Sequence, residues 1–278
     1  MSTARGLPHR RPVSPVHGGR VLNPGGRLAY SLQSWPGTAP RPPWGTGMTQ
    51  SESVAIERLR AIGREFHGRG WSLGTSSNYS VVASRAPLEL LITVSGKDKS
   101  ALGVDDFVRV DATGRPCDGS GRKSSAETLL HCTIAALVPG VGAVLHTHSV
   151  WSTLLSGADE HAGRVRIAGY EMLKGLEGIT THDTTAEIPV FANSQDMPTV
   201  AAELRERFAR LDWSGPRPPH HGFLLARHGL YTWGRTLDEA RRHVEILEFL
   251  FEVAMRSRQM IAPTPLPLAS ASRQQLQQ

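Results

Sequence analysis

The chain has 278 residues and a formal charge of +6, long enough for one or two domains. The excess charge lies at the front: residues 1–47 carry six arginines, no lysine and no acidic residue, and from Met48 onward 25 basic residues face 25 acidic ones. The balanced remainder lacks the basic excess of a nucleic-acid-binding domain, and no stretch approaches the ~20 apolar residues of a membrane span, so neither nucleic acid nor membrane is expected as a partner.

Residues 1–47 also hold eight prolines and eight glycines. Such a segment cannot bury a core and reads as a disordered extension, with Met48 as an alternative natural start. It lacks the apolar run of a secretory signal. The folded unit is expected over 48–258 as one domain, followed by a flexible tail over 259–278. Ala55, Leu59, Ile62 and Phe66 follow helical spacing, and Gly68 and Gly70 end that helix. Gly74–Ser80 reads as a turn of small polar residues, and Leu88–Val94 and Asp106–Val110 as strands. Ser125 reads as the cap of a helix over Ala126–Leu137, stopped by Pro139-Gly140. The apolar run Val141–Leu145 is a buried strand ending in His146-Thr147-His148. A short helix after Ser149, a mixed stretch to Val190-Phe191 and a helix over Pro198–Leu211 follow. Phe223–Ala226 and Tyr231–Trp233 read as strands flanking His228-Gly229, and the capping box Thr236-Leu-Asp-Glu239 opens a long helix with Ala240, Val244, Leu247, Phe251 and Ala254 on one stripe. Helices alternate with strands joined by short links, which favours an α/β fold with a mixed, mainly antiparallel central sheet flanked by helices. Two cysteines, Cys117 and Cys132, make no disulfide framework, so a reduced, cytoplasmic protein is expected.

Residues two apart on a strand share a face, so the imidazoles of His146 and His148 can converge on one point. His228, past another apolar run, adds a third. Three neutral imidazoles with a position left open suit a catalytic zinc ion rather than a structural one. The other histidines, His131 and His243 among them, lack such a context. Small polar turns at Ser77-Asn78, Ser95-Gly96 and Ser125 let backbone approach an anion, and Lys99 could add a charge; as ordinary sequence they are also simply turns and caps. By position alone Glu127 is a first-turn acid, and Glu171 a surface carboxylate or a partner for Lys174.

Taken together, Gly74-Thr-Ser-Ser-Asn78, Val94-Ser-Gly96 with Lys99, Ser125-Ala-Glu127, His146-Thr-His148-Ser149, Glu171-Met-Leu-Lys-Gly175 and Arg227-His-Gly229 followed by Tyr231-x-Trp233-Gly234 resemble the class II aldolase/adducin family across residues 51–257. The resemblance implies a three-layer domain, one Zn2+ per subunit held by His146, His148 and His228, a sugar-phosphate substrate and a homotetramer. It implies that Glu127 ligates the metal, acts as a base or touches substrate. It makes Glu171 the general acid/base of the family's dehydratases, since the aldolases lack the Glu-Met-Leu-Lys-Gly run. Ser77, Asn78, Ser95, Gly96, Lys99 and Ser125 fall at the substrate and phosphate site. Ser77 stands where many relatives have glycine, and Ala126 where aldolases have serine. An aldolase or epimerase of the same family is the nearest alternative to a dehydratase, and a non-catalytic, adducin-like interaction module a more remote one.

Overall fold

The computed structural model describes residues 49–261; the expected extension over 1–47 and residues 262–278 of the tail expected over 259–278 lie outside the described residues, and residues 259–261 end the last helix. The first helix, α1 (Gln50–Gly68), opens on Thr49, whose hydroxyl caps Glu52 while the Glu52 carboxylate returns to the Thr49 N–H. Three strands follow: β1 (Asn78–Arg85), β2 (Leu88–Thr93) and β3 (Phe107–Asp111). Next come α2 (Thr128–Leu137), β4 (Ala143–Thr147), α3 (Val150–Ala158), β5 (Arg164–Ala168) and a 3-10 helix over Glu171–Gly175. The chain continues through β6 (Thr185–Phe191), α4 (Met197–Phe208), β7 (Gly222–Leu225), β8 (Gly229–Gly234) and α5 (Leu237–Ile261). Among the described residues the strands form one eight-stranded sheet in the order β3-β2-β1-β4-β8-β7-β6-β5. Every pairing is antiparallel except β6 with β7, as expected for a mixed, mainly antiparallel sheet.

Register explains the two faces. Asn78 lies opposite His146, and His146 opposite Tyr231, so these three share one face of the sheet. That face, with Val144 and Trp233, is covered by α2 and α4 through Leu130, Ile134, Val200 and Leu204. The other face presents Tyr79 and Leu145 to Leu59 and Phe66 of α1 and Val244 of α5. Farther along, Leu224 and Leu230 meet Leu155 of α3 and Leu247 of α5. The stripe read along α5 is therefore the seam of this second layer.

Three boundaries differ from the sequence reading. The segment to Ser80 is not all turn, because β1 begins at Asn78 and runs through the middle of the sheet. Its inward residues on the α2 side, Asn78 and Ser80, are polar and satisfied by one buried histidine, so no apolar alternation announces the strand. The second helix begins at Thr128, not Ala126; Ser125 accepts from the Glu127 N–H within the preceding turn. The mixed stretch before Phe191 contains the paired strands β5 and β6.

Candidate metal centre

The centre is assembled at the end of β4. His146 is fully buried, and its Nδ1 hydrogen bonds the Leu230 carbonyl at 2.9 Å. A carbonyl only accepts, so Nδ1 carries the proton and the Nε2 lone pair is left free. The ring is clamped by stacking on Tyr231, with centroids 3.9 Å apart and planes 14° from parallel; Tyr231 stacks in turn on Phe223. His148 lies just past the strand, where its N–H donates to the Trp71 carbonyl at 2.8 Å. Between them Thr147 points to the opposite face, as the period of two requires.

His228 arrives from the tight β7–β8 turn. Arg227 there adopts a positive φ of 54°, and the His228 carbonyl is held by the Thr153 hydroxyl at 3.0 Å. A Cβ at Gly229 would lie 2.1 Å from the Thr147 carbonyl oxygen, so only glycine lets this turn press against β4. The result sets His228 Nε2 3.2 Å from His148 Nε2, which is 2.7 Å from His146 Nε2. His228 Nδ1 faces the Asn193 side-chain oxygen at 3.3 Å, turning Nε2 inward as well.

Glu127, just before α2, closes the fourth side. Its Oε1 lies 3.2 Å from His228 Nε2 and its Oε2 3.8 Å from His146 Nε2. The four donor atoms all lie within 4.8 Å of one another. A tetrahedral first-row ion with ligands at about 2.0–2.2 Å places its donors roughly 3.3–3.6 Å apart. The residues therefore fit a divalent cation, and the donor set suits zinc or a neighbouring first-row metal. Electrostatics agree with ligation. Burial pushes His146 well below the ordinary imidazole value and His148 down to about 4, so both are neutral. Burial would raise the Glu127 carboxyl, but the contact with His228, the nearby His146 and the hydrogen bond from Asn78 outweigh it and hold the group ionised.

The other expected site residues are placed differently. Ser77 sits at a positive φ of 71° beside Asn78, with its hydroxyl 3.4 Å from the Trp71 carbonyl. Asn78 donates to Glu127 Oε2 at 2.7 Å. Lys99 is buried in a 3-10 turn and donates to the Lys97 carbonyl at 2.6 Å; burial lowers it to about 8, against the charges of Asp98, Asp106 and Glu127. Ser95 and Gly96 lie exposed in the loop after β2. Glu171 is exposed at the start of its 3-10 helix, bonded to Lys174 and 3.3 Å from His182. It is outside the four-residue cluster of this chain, and its pairing with Lys174 is the ordinary role that spacing allowed.

Sequence reasoning missed His131, Asn193, Tyr231 and Glu248. His131 had a readable signal, since it stands one helical turn after Glu127 and so faces the same way. Tyr231 entered the sequence reading only within the Tyr231-x-Trp233-Gly234 run, where nothing marks its ring as the one that stacks on His146.

A mixed α/β sheet with three imidazoles and a carboxylate gathered at the end of its central strand defines a protein with a candidate mononuclear metal centre. The chain belongs to the class II aldolase and adducin family: the model of the class II aldolase and adducin N-terminal domain matches residues 57–255. It is similar to the methylthioribulose-1-phosphate dehydratase of Picosynechococcus sp., at 42% identity over 217 residues, covering 78% of this chain and 98% of that protein. The enzyme of the same name from Methylococcus capsulatus is 45% identical over 208 residues, covering 75% of this chain and 96% of the relative. Among solved structures, L-fuculose-1-phosphate aldolase from Thermus thermophilus superposes with a TM-score of 0.58 at 22% identity, covering 76% of this chain and 99% of that one. That likeness concerns the fold.

Proposed function

We propose that this chain is a metal-dependent methylthioribulose-1-phosphate dehydratase, a lyase of methionine salvage. It converts 5-methylthioribulose 1-phosphate to 5-methylthio-2,3-diketopentyl 1-phosphate and water. The observation that carries the reading is the convergence of His146, His148, His228 and Glu127 within 4.8 Å in a chain that matches dehydratases of that name along nearly their whole length.

The three histidines would hold one zinc ion, with Glu127 as a further ligand or a substrate contact. When bound, zinc supplies redox-inert Lewis acidity toward the substrate's carbonyl and hydroxyl oxygens. The remaining work is proton transfer. The C3 proton must leave, the C4 hydroxyl must depart with a proton, and the resulting enol becomes the diketone. Glu171 is assigned both transfers. Its bond to Lys174 and the nearby His182 hold the carboxyl below its ordinary value, so it starts ionised, as a base, and the proton it takes is the one it returns to the leaving hydroxyl. Ser77, Asn78, Ser95, Gly96, Lys99 and Ser125 are assigned to the phosphate end, where backbone N–H groups and the Lys99 charge favour an anion.

On this reading the chain assembles as a homotetramer with Glu171 close to a subunit boundary, and exposed apolar side chains near it support that. Met172 beside it, Val150 and Leu154 on α3 and Phe249 on α5 are all exposed, and α5 packs against both α3 and the Glu171 helix. Cys117 and Cys132 are thiols rather than a disulfide, which suits a reducing cytoplasm.

Turnover of 5-methylthioribulose 1-phosphate, with diketone as product, tests the reaction. Activity should vanish with chelator and return with zinc. Glu171→Gln should lower kcat by about 10²–10⁴ with metal still bound; normal turnover by that variant would remove Glu171 from the mechanism. Because Glu127 stands where aldolases place a metal ligand or base, aldol cleavage is the second reading, and two carbon fragments in place of the diketone would establish it.

A further inference from the structure

His131 is a fully buried histidine on α2 that the mechanism above does not use. Its Nδ1 is 2.8 Å from the Ser80 hydroxyl, and its Nε2 contacts the Asn78 side-chain oxygen. The Asn78 amide nitrogen, on the other side, reaches Glu127 Oε2 at 2.7 Å. Four side chains from β1, the pre-α2 turn and α2 thus form one line ending at the metal centre.

The direction of that line follows from chemistry. An ionised carboxylate only accepts hydrogen bonds, so Asn78 must turn its NH2 toward Glu127 and its oxygen toward His131. The oxygen also only accepts, so His131 Nε2 must carry the ring proton. Nδ1 is then an acceptor, and the Ser80 hydroxyl must donate to it. Reversing any member sets two donors or two acceptors face to face in a buried place, where an unmet polar group is expensive. Burial keeps the imidazole neutral, pushing it down to about 3, so no second ring proton is present to blur the choice.

We propose that His131 is a positioning residue: its Nε2–H fixes the Asn78 amide, and Asn78 fixes the Glu127 carboxylate with Oε2 gripped and Oε1 turned to the metal site beside His228. The inference rests on the reading of His146, His148, His228 and Glu127 as a metal centre. It also gives Asn78 a task besides phosphate binding. Its oxygen and one amide hydrogen are committed within the protein, which leaves one amide hydrogen for a substrate anion.

Nitrogen-15 NMR of the metal-free wild-type chain reads the tautomer directly. A protonated Nε2 and bare Nδ1, unchanged between pH 5 and 8, are expected; a proton on Nδ1 would overturn the proposal without any variant. Zinc affinity, measured by competition with a chromophoric chelator, gives the second readout. His131→Phe keeps the shape and removes the donor, and should weaken zinc binding by about 10–100-fold. In an Asn78→Ala background the same substitution should cause little further loss, because its route to Glu127 is already cut. Losses that multiply would mean that His131 acts through general packing, and the proposal would fall. If His131→Phe does not fold, Ser80→Ala replaces it: Nδ1 loses its donor, zinc binding should weaken by a smaller factor, and no change would count against the network. Should the wild type bind no metal while showing the expected tautomer, the metal reading fails and the hydrogen-bond order stands.

Discussion

Ser77 occupies a left-handed backbone conformation that a side chain adopts only at a cost. Its hydroxyl has a long bond to the Trp71 carbonyl as partial compensation. Ser77→Gly should therefore raise stability by about 1 kcal/mol, seen as a higher urea midpoint at unchanged slope; a lower midpoint would show that the hydroxyl outweighs the strain. Glu248 is likewise held in place at a cost. It is a fully buried carboxyl on α5 that accepts from the Thr147 hydroxyl at 3.0 Å, and its Oε2 has no partner among the described residues. Burial pushes it up to about 7, opposed by the Ser149 and Thr147 hydroxyls. The folded protein thus holds this proton more tightly than the unfolded chain, so the contribution is fully present below the ordinary carboxyl value and is lost as pH rises through 7. Glu248→Gln keeps the Thr147 bond and removes the charge. Its advantage over wild type should grow from near zero at pH 4.5 to roughly 2–4 kcal/mol at pH 8. Equal gains at both pH values in denaturation curves would refute the assignment.

Elements decide how precisely the donors meet. β4 supplies two histidines on one face and sends Thr147 to the other, where Glu248 anchors it. The β7–β8 turn then depends on Gly229, since any Cβ would strike the β4 backbone. Gly229→Ala should push the turn off β4 and carry His228 with it. Zinc affinity is expected to fall at least 10-fold, alongside a stability loss of about 2–4 kcal/mol; calorimetry on the folded variant separates the two effects, and unchanged affinity would show that His228 does not need this close approach. α2 does related work from above the sheet, holding Glu127 before its first turn and His131 one turn inside it.

For the whole molecule, the buried histidines set the response to acid. Burial lowers His131 and His221 to about 3 and His148 to about 4. Each is neutral when folded but takes a proton near pH 6.5 when unfolded. The unfolded chain therefore binds more protons between about pH 4 and 6.5, and stability must fall as pH drops through that window. These three outnumber Glu248, whose slope has the opposite sign, so the net direction is loss of stability in acid. Thermal melts of metal-free protein at pH 7 and pH 5 should show the lower midpoint at pH 5; a higher one would contradict the buried-neutral assignment. Bound metal adds to the folded state by mass action, about 2.7 kcal/mol at a hundredfold excess over Kd, which melts with and without chelator should register.

The sequence by itself determined the alternation of elements, the amphipathic seam of α5, the shared face of His146 and His148 and the belonging of His228 to their set. The first three are local periodicities, which strand and helix geometry translate directly into direction in space; His228 joined the pair through its place past a second apolar run and through resemblance. Tertiary structure decided the rest. β1 stayed hidden because its core-facing residues are Asn78 and Ser80, polar groups that can be buried only once His131 arrives from α2. Glu127 joins the candidate metal centre because the turn before α2 sits over the end of β4, a proximity between residues 127 and 146 that no spacing states. Glu171 was singled out through family resemblance, and within one chain its carboxylate rests on Lys174 and His182. Lys174 was legible as a partner from the spacing alone, whereas the approach of His182 depends on how the chain folds after the 3-10 helix, which a linear pattern does not encode.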